Sequence, residues 1–199
     1  MILSIHTTGL GGQGVLTFSK LIADYAHTRG LKVTLFHAKG MAQRGGRVTS
    51  DIRISTEQEI EFDPRISKGG ADILVGLEIG EALNSLPYIK EEGLALLHTY
   101  AAVPSSVLLD KKSTYPEAGE VSDIYRKVGA SVYTVEEIPE GANIFFLGVL
   151  TAVSNSREEV ITFDMPAMEE IISRKLKYKT KENLKNYKKG YTYGRELPQ

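Results

Sequence analysis

A chain of 199 residues with 42% hydrophobic and 25% charged side chains has the makeup of one globular domain with a sizeable core, which excludes fibrous and disordered architectures. It contains no cysteine, which excludes disulfides, thiolate nucleophiles and cysteine-ligated iron–sulfur clusters on this chain. The net charge of −1 conceals a segregation: residues 174–195 hold nine basic side chains and one acid, Glu182, against fifteen basic and twenty-four acidic ones elsewhere.

Residues 2–7 form an apolar, β-branched stretch that reads as a first strand and not as a signal peptide. After a glycine run, Val15, Leu16, Phe18, Leu21, Ile22 and Tyr25 share one helix face, Gly30 ends that helix, and residues 32–36 form the next strand. This βαβ spacing predicts parallel pairing of the two strands through a right-handed crossover. Residues 47–54 alternate apolar and polar as a half-exposed strand does, and residues 59–62 are predicted to be its short antiparallel partner. The βα rhythm then resumes, with a central strand at 71–77, a helix at 78–86 and a strand at 94–98. Residues 100–120 carry no decisive pattern. Beyond them the chain predicts a helix at 121–128, a strand at 131–135 and an apolar helix at 143–153. Asp164 with Pro166 starts a helix bearing Met168, Ile171, Ile172 and Leu176 on one face, and Thr180 is predicted to cap a final basic helix.

The fold class expected is α/β, a three-layer doubly wound mixed sheet, mostly parallel, with an antiparallel excursion near 47–62. Residues 1–178 would form the domain and 179–199 a basic helical C-terminal tail. No apolar run approaches the roughly 18 residues that cross a bilayer, so the expected location is cytoplasmic, without membrane contact. His6, His27, His37 and His98 are scattered without metal-ligand spacing, so each reads as a packing or surface residue and no metal site is expected. The basic tail reads either as an interaction surface or as a solvated helix face. It lacks a nucleic-acid motif and the remainder is acidic, which argues against a nucleic-acid partner.

Gly9-Leu10-Gly11-Gly12-Gln13-Gly14 satisfies G-x-G-x-x-G between a predicted strand and a predicted helix, where bare backbone and free helix-start N–H groups can hold an anion. A dinucleotide site also needs an acid at the end of the second strand for the ribose hydroxyls, and the sequence there is Phe36-His37-Ala38-Lys39. A stand-alone nucleotide- or NAD(P)-binding oxidoreductase therefore remains only an alternative, beside a purely structural tight turn. The second glycine segment, Gly40-Met41-Ala42-Gln43-Arg44-Gly45-Gly46-Arg47, follows the second strand. In a doubly wound sheet it can meet the first turn, with Arg44 and Arg47 as forked donors to a phosphate or carboxylate, or it can be a solvated hairpin entry. Thr7 and Thr8, just before the turn, can bind a ligand or cap the strand end.

Taken together, the G-L-G-G-Q-G turn, the Met41-Ala42-Gln43-Arg44-Gly45-Gly46 segment and the alternating strand after it resemble the gamma-type domain of 2-oxoacid:ferredoxin oxidoreductases. The M-A-Q-R-G-G form is most similar to the small, beta subunit of the indolepyruvate members. Asn143-Ile144-Phe145-Phe146-Leu147-Gly148 and the terminal Lys181-Glu182-Asn183 with Gly190 resemble the family's later landmarks. The resemblance implies a subunit without a redox centre, inactive alone, whose large catalytic partner carries thiamine diphosphate and iron–sulfur clusters and passes electrons to ferredoxin. The whole complex would oxidatively decarboxylate a 2-oxoacid, indolepyruvate or another arylpyruvate, to an acyl-coenzyme A. It implies no catalytic residue here and no cofactor held by this chain alone, with coenzyme A as candidate cosubstrate at Gly9, Gly11, Gly12, Gln13, Gly14, Arg44, Gly45 and Gly46. A contact of the same loops with the catalytic subunit is the other role it allows.

Overall fold

The computed structural model describes residues 1–40, 45–110, 112–136, 138, 140–156 and 161–197. In chain order these form β1 (Ile2–Leu10), α1 (Val15–Thr28), β2 (Lys32–Lys39), β3 (Arg47–Ser55), β4 (Ala71–Gly76), α2 (Ile79–Ser85), β5 (Ile89–His98), α3 (Ser105–Leu109), α4 (Ala118–Lys127), β6 (Ser131–Val135), α5 (Ala142–Ser156), α6 (Met165–Lys175) and α7 (Thr180–Glu196).

The sheet runs β2-β3-β1-β4-β5-β6. β1, β4, β5 and β6 are parallel neighbours, while β3 lies antiparallel between β1 and β2. Because side chains alternate across a strand, Ile73, Val75, Leu94 and Leu96 enter one core with α1, α5 and α6, while Leu74, Ala95 and Leu97 enter a second with α2 and α4. Helices thus cover both faces of a mostly parallel sheet, in three layers. The antiparallel excursion is present.

Two details of that excursion differ from expectation. β1 and β2 do not pair, because β3 folds back from β2 as a hairpin and inserts between them. Its nine residues pair with β1 along their whole length, and Val48, Ile52 and Ile54 are buried in the core. Residues 59–62 form no strand. They belong to an irregular segment laid over β2 and β3, where the Arg53 guanidinium lies 5.3 Å from the centre of the Phe62 ring and that of Arg65 lies 4.4 Å from the Phe36 ring. Cation–aromatic contact and the Arg53 hydrogen bond to the Asp63 carbonyl (2.8 Å) hold this cover in place of a strand ladder.

The undecided stretch after β5 is organised by one buried carboxylate. Glu78 caps α2 through the Glu81 amide (2.8 Å), accepts the Ala102 amide (3.0 Å) and accepts the Tyr115 hydroxyl (2.8 Å). Burial first, and then this hydrogen bond, push the Tyr115 phenol well above its ordinary value. Tyr115→Phe removes one of three donors to a buried anion, and a loss of about 1–2 kcal/mol is expected in urea unfolding. A stability equal to wild type would show that Glu78 does not need this donor.

Asp164 caps α6 as predicted, accepting the Ala167 amide at 2.8 Å. Thr180 does not cap α7. Lys179, with φ of 53°, occupies the cap position, and the Thr180 hydroxyl instead donates to the Leu176 carbonyl at 2.7 Å, binding α7 to the end of α6. α7 then packs along α5. Gly148 of α5 meets the backbone of Tyr187 and Tyr191, and Gly190 meets the backbone of Phe145, so the two helices touch through main chain. Tyr187 is fully buried between them and donates to the Thr151 hydroxyl (3.1 Å).

Candidate functional site

In a doubly wound sheet the crevice lies beyond the carboxyl ends of the strands, where the helical connections diverge to opposite faces. Here that point is between β1, which feeds α1 on one face, and β4, which feeds α2 on the other. The glycine turn sits there. β1 ends at Leu10, and α1 begins directly after Gly14, which is left-handed (φ 82°), as is Gly12 (φ 99°). Only glycine adopts these angles cheaply.

Gln13 braces the turn from below. Its side-chain carbonyl accepts the Leu10 amide (2.7 Å), and its amide donates to the Leu77 carbonyl (3.2 Å) at the end of β4. A methyl group at Gly9 would meet the Gln13 side-chain oxygen, and one at Gly14 would overlap the Asn143 side chain. Gly9, Gly12 and Gly14 are therefore required by the turn itself. Gly11 is not, since its φ is outside the left-handed region and a methyl there would have only ordinary contacts, the nearest 3.7 Å away at the Gly46 carbonyl.

The structure brings the two glycine segments together. The Gly11 amide donates to the Gly46 carbonyl at 2.9 Å, and Gly45, with φ of 65°, turns the chain beside it. Arg44 lies outside the described residues, as do Met41, Ala42 and Gln43. One cleft, of about 690 Å³, opens between the turn and the β2–β3 hairpin, lined among others by Gly11, Gly12, Thr17, Lys39, Gly46 and Arg47. A second, of about 490 Å³, opens on the other side of the turn and is lined among others by Gln13, Gly14, Thr17, His98, Tyr100 and Asn143. The first turn of α1 has neither a side-chain cap nor an acidic residue, and the first turn of α5 has no acidic residue. Both amino ends border the second cleft, so their positive dipole ends favour an anion there.

Beneath the clefts runs a buried polar chain that sequence reading did not anticipate. The Ile66 amide donates to Asp51 Oδ2 (3.0 Å), Asp51 Oδ1 accepts His6 Nδ1–H (2.6 Å), and His6 Nε2 lies 3.2 Å from Ser85 Oγ. Arg47 Nη2 donates to the same Ser85 oxygen (2.9 Å), which leaves the serine proton for His6, and His6 stacks on Tyr88 at 4.4 Å. This is the order of a Ser–His–Asp relay, but Ser85 is fully buried and already holds a guanidinium, so it orients Arg47 and does not present a nucleophile. Arg47 Nε is also 3.2 Å from Glu81 Oε2, close enough for an ion pair although not aligned as a hydrogen bond. Burial raises the Glu81 carboxyl, and Arg47 partly opposes that rise. The Arg47 fork is thus engaged by α2, and Lys39 is the other basic residue among those lining this cleft.

His98 is held by both ring nitrogens: Nδ1 donates to the Leu77 carbonyl (3.2 Å), and Nε2 accepts the Ile138 amide (3.0 Å). Asn143 donates to the Gly14 carbonyl (3.4 Å), tying α5 to the start of α1. Of these residues, Asn143 was visible in the sequence as part of a motif and Thr17 follows the glycine turn in the first turn of α1, whereas His98 and Tyr100 reach the crevice only through the sheet order. Thr7 and Thr8 are fully buried, their hydroxyls have no hydrogen-bond partner among the described residues, and neither lines the two clefts.

With the fold and crevice in place, comparison with known proteins is direct. Residues 4–193 match the family model described as pyruvate ferredoxin/flavodoxin oxidoreductase. The chain belongs to that family. It is 36% identical over 200 residues to the indolepyruvate oxidoreductase subunit IorB of Archaeoglobus fulgidus, covering 96% of this chain and 94% of that one. Among solved structures it resembles the gamma subunit of the keto/oxoacid ferredoxin oxidoreductase of Geobacter sulfurreducens PCA, with a TM-score of 0.65, 18% identity and coverage of 98% and 97%. It also resembles the 2-oxoglutarate:ferredoxin oxidoreductase of Magnetococcus marinus, solved with 2-oxoglutarate, coenzyme A and succinyl-CoA bound, with a TM-score of 0.70 and 20% identity. That match takes in 99% of this chain and 32% of the longer one. The two structural likenesses speak for the fold.

Proposed function

We propose that this chain is the small subunit, without a redox centre, of a thiamine diphosphate-dependent 2-oxoacid:ferredoxin oxidoreductase acting on indolepyruvate or another arylpyruvate. We further propose that its crevice receives the phosphates of coenzyme A, the acyl acceptor. The family membership and the IorB relative support the first statement. Two observations on this chain agree with a division of labour. It has no cysteine to ligate a cluster, and the described residues lining the two clefts include no carboxylate, so they do not suit the metal that accompanies a diphosphate cofactor. Thiamine diphosphate and the clusters then belong to a larger partner, and no step of their chemistry runs through these residues.

The observation that carries the coenzyme A assignment is Gly11. It is bare backbone on a cleft wall at the switch point, and none of the described residues gives it a steric reason to lack a side chain. A phosphate approaching the turn gives one, because close backbone approach is what glycine permits. The neighbouring Lys39 and the amino end of α1, which line the same cleft, supply positive potential for it. β2 ends in Ala38-Lys39 with no acid for a ribose, which speaks against the nicotinamide alternative.

Gly11→Ala tests this directly. The variant is expected to fold and to assemble like wild type, while the KM for coenzyme A in the complex rises about tenfold, the equivalent of roughly 1.4 kcal/mol, with little change in the KM for the 2-oxoacid. An unchanged KM for coenzyme A would remove the assignment. Lys39→Gln is expected to raise the same KM by about fivefold, with a weaker dependence on ionic strength than wild type.

A further inference from the structure

The segregated basic charge of residues 174–195 is not spread evenly over the surface. On α7, Lys181, Lys185, Lys188 and Lys189 fall at positions i, i+4, i+7 and i+8, one stripe along the helix. They border a groove of about 750 Å³ that also takes in Phe145, Leu184, Thr192 and Tyr193, with one carboxylate, Glu196, at its end. The floor is fixed, since the Phe145 and Tyr193 rings pack at 5.7 Å and the Tyr193 hydroxyl donates to the Thr134 carbonyl of β6 (3.0 Å). The stripe is fixed too, because the main-chain contact at Gly148 and Gly190 prevents α7 from rolling. Lys188 pairs with Glu169 at 3.2 Å. Among the described residues, no carboxylate lies within ion-pair distance of Lys181, Lys185 or Lys189.

An apolar floor with a charged rim is the anatomy of a protein interface. A purely solvated helix face needs no apolar groove. Four lysines against one carboxylate beside fixed apolar side chains complement a segment that carries carboxylates and at least one large apolar residue. We propose that this groove docks an acidic segment of the large partner subunit, an inference that rests on the function proposed above. From Lys181 to Lys189 the stripe spans about 12 Å at 1.5 Å per residue, the length of two helical turns or four extended residues of the partner.

The test uses the anaerobically co-expressed complex. A zero-length carbodiimide cross-linker is expected to join Lys181, Lys185 or Lys189 to Asp or Glu residues of the large subunit, located by mass spectrometry. The triple variant Lys181→Glu, Lys185→Glu, Lys189→Glu is expected to weaken subunit affinity by on the order of 30-fold. The triple Lys→Arg variant, which keeps the charge, is expected to stay within threefold of wild type. Charge reversal that leaves affinity and salt dependence unchanged, with no such cross-links, overturns the proposal while the proposed function stands. Failure of the wild-type chain to assemble with a large subunit overturns both. Binding of the wild-type chain to phosphatidylglycerol vesicles, lost on charge reversal while the complex stays intact, overturns it in favour of a membrane surface.

Discussion

Alanine at Gly190 is expected to cost about 3 kcal/mol of stability, although helix propensity alone would favour it. In an exposed helix interior, glycine to alanine gains roughly 1 kcal/mol. At Gly190 the added methyl would overlap the Phe145 carbonyl oxygen and come within 2.8 Å of its carbon and 3.1 Å of its Cα. These are main-chain atoms near the amino end of helix α5, which borders the crevice, so the clash is relieved only by moving α7 away. Tyr187 would then lose its buried site and its bond to Thr151. Gly148→Ala meets the Tyr187 carbonyl and the Tyr191 amide from the other side and is expected to behave similarly, whereas Gly194→Ala, whose nearest neighbour is the Ala152 methyl at 2.8 Å, is expected to be milder. Urea unfolding of the three variants gives the ranking. A Gly190→Ala protein as stable as wild type would mean that α5 and α7 are not in main-chain contact.

The second large effect is expected at Asp51. Both carboxylate oxygens are spent, on His6 and on the Ile66 amide, and the residue is buried. Asp51→Ala leaves two buried donors without acceptors, a loss on the order of 3 kcal/mol. Asp51→Asn keeps one acceptor and is expected to lose about half as much. The consequence extends to the crevice, because His6 orients Ser85 and Ser85 accepts from Arg47. Ser85→Ala is expected to change overall stability by about 1 kcal/mol at most, since the half-exposed guanidinium can turn to water. An Asp51→Ala variant with wild-type unfolding would contradict the buried chain.

These two sites also show what the sequence could and could not reveal. The glycine turn, the helix after it and the alternating strand at residues 47–54 were legible because period and punctuation are local properties. The fold class followed from them. The position of β3 did not, because strand order is decided by which pairing buries most side chains, and the spacing of β1, α1 and β2 describes the crossover equally well with or without a strand between them. That single ambiguity hid the buried chain, since His6 and Asp51 become neighbours only when β1 and β3 pair in the observed register. Residues 59–62 misled for a related reason: acids alternating with Ile60 and Phe62 look like a strand, but here Phe62 anchors the cover over Arg53. Glycine spacing singled out Gly9, Gly11, Gly12, Gly14, Gly45 and Gly46, of which all but Gly9 line the first cleft, and within the turn the structure separates the glycines it needs from the one it does not. Gln13 was picked out with the glycines by the same motif and Thr17 follows it in the first turn of α1, whereas His98 and Tyr100 depend on tertiary contacts between strand ends far apart in sequence. The main-chain contact of α5 with α7 could not be read either, because a helical glycine looks the same whether it is exposed or faces another backbone.

Anaerobic reconstitution measures the proposed function most directly. The isolated chain is expected to be inactive, and addition of a large subunit carrying thiamine diphosphate and iron–sulfur clusters is expected to give viologen reduction that requires both an arylpyruvate and coenzyme A, with acyl-coenzyme A as product. Full coenzyme A-dependent activity from the large subunit alone, or oxidoreductase activity with NAD(P) from this chain alone, would contradict the assignment.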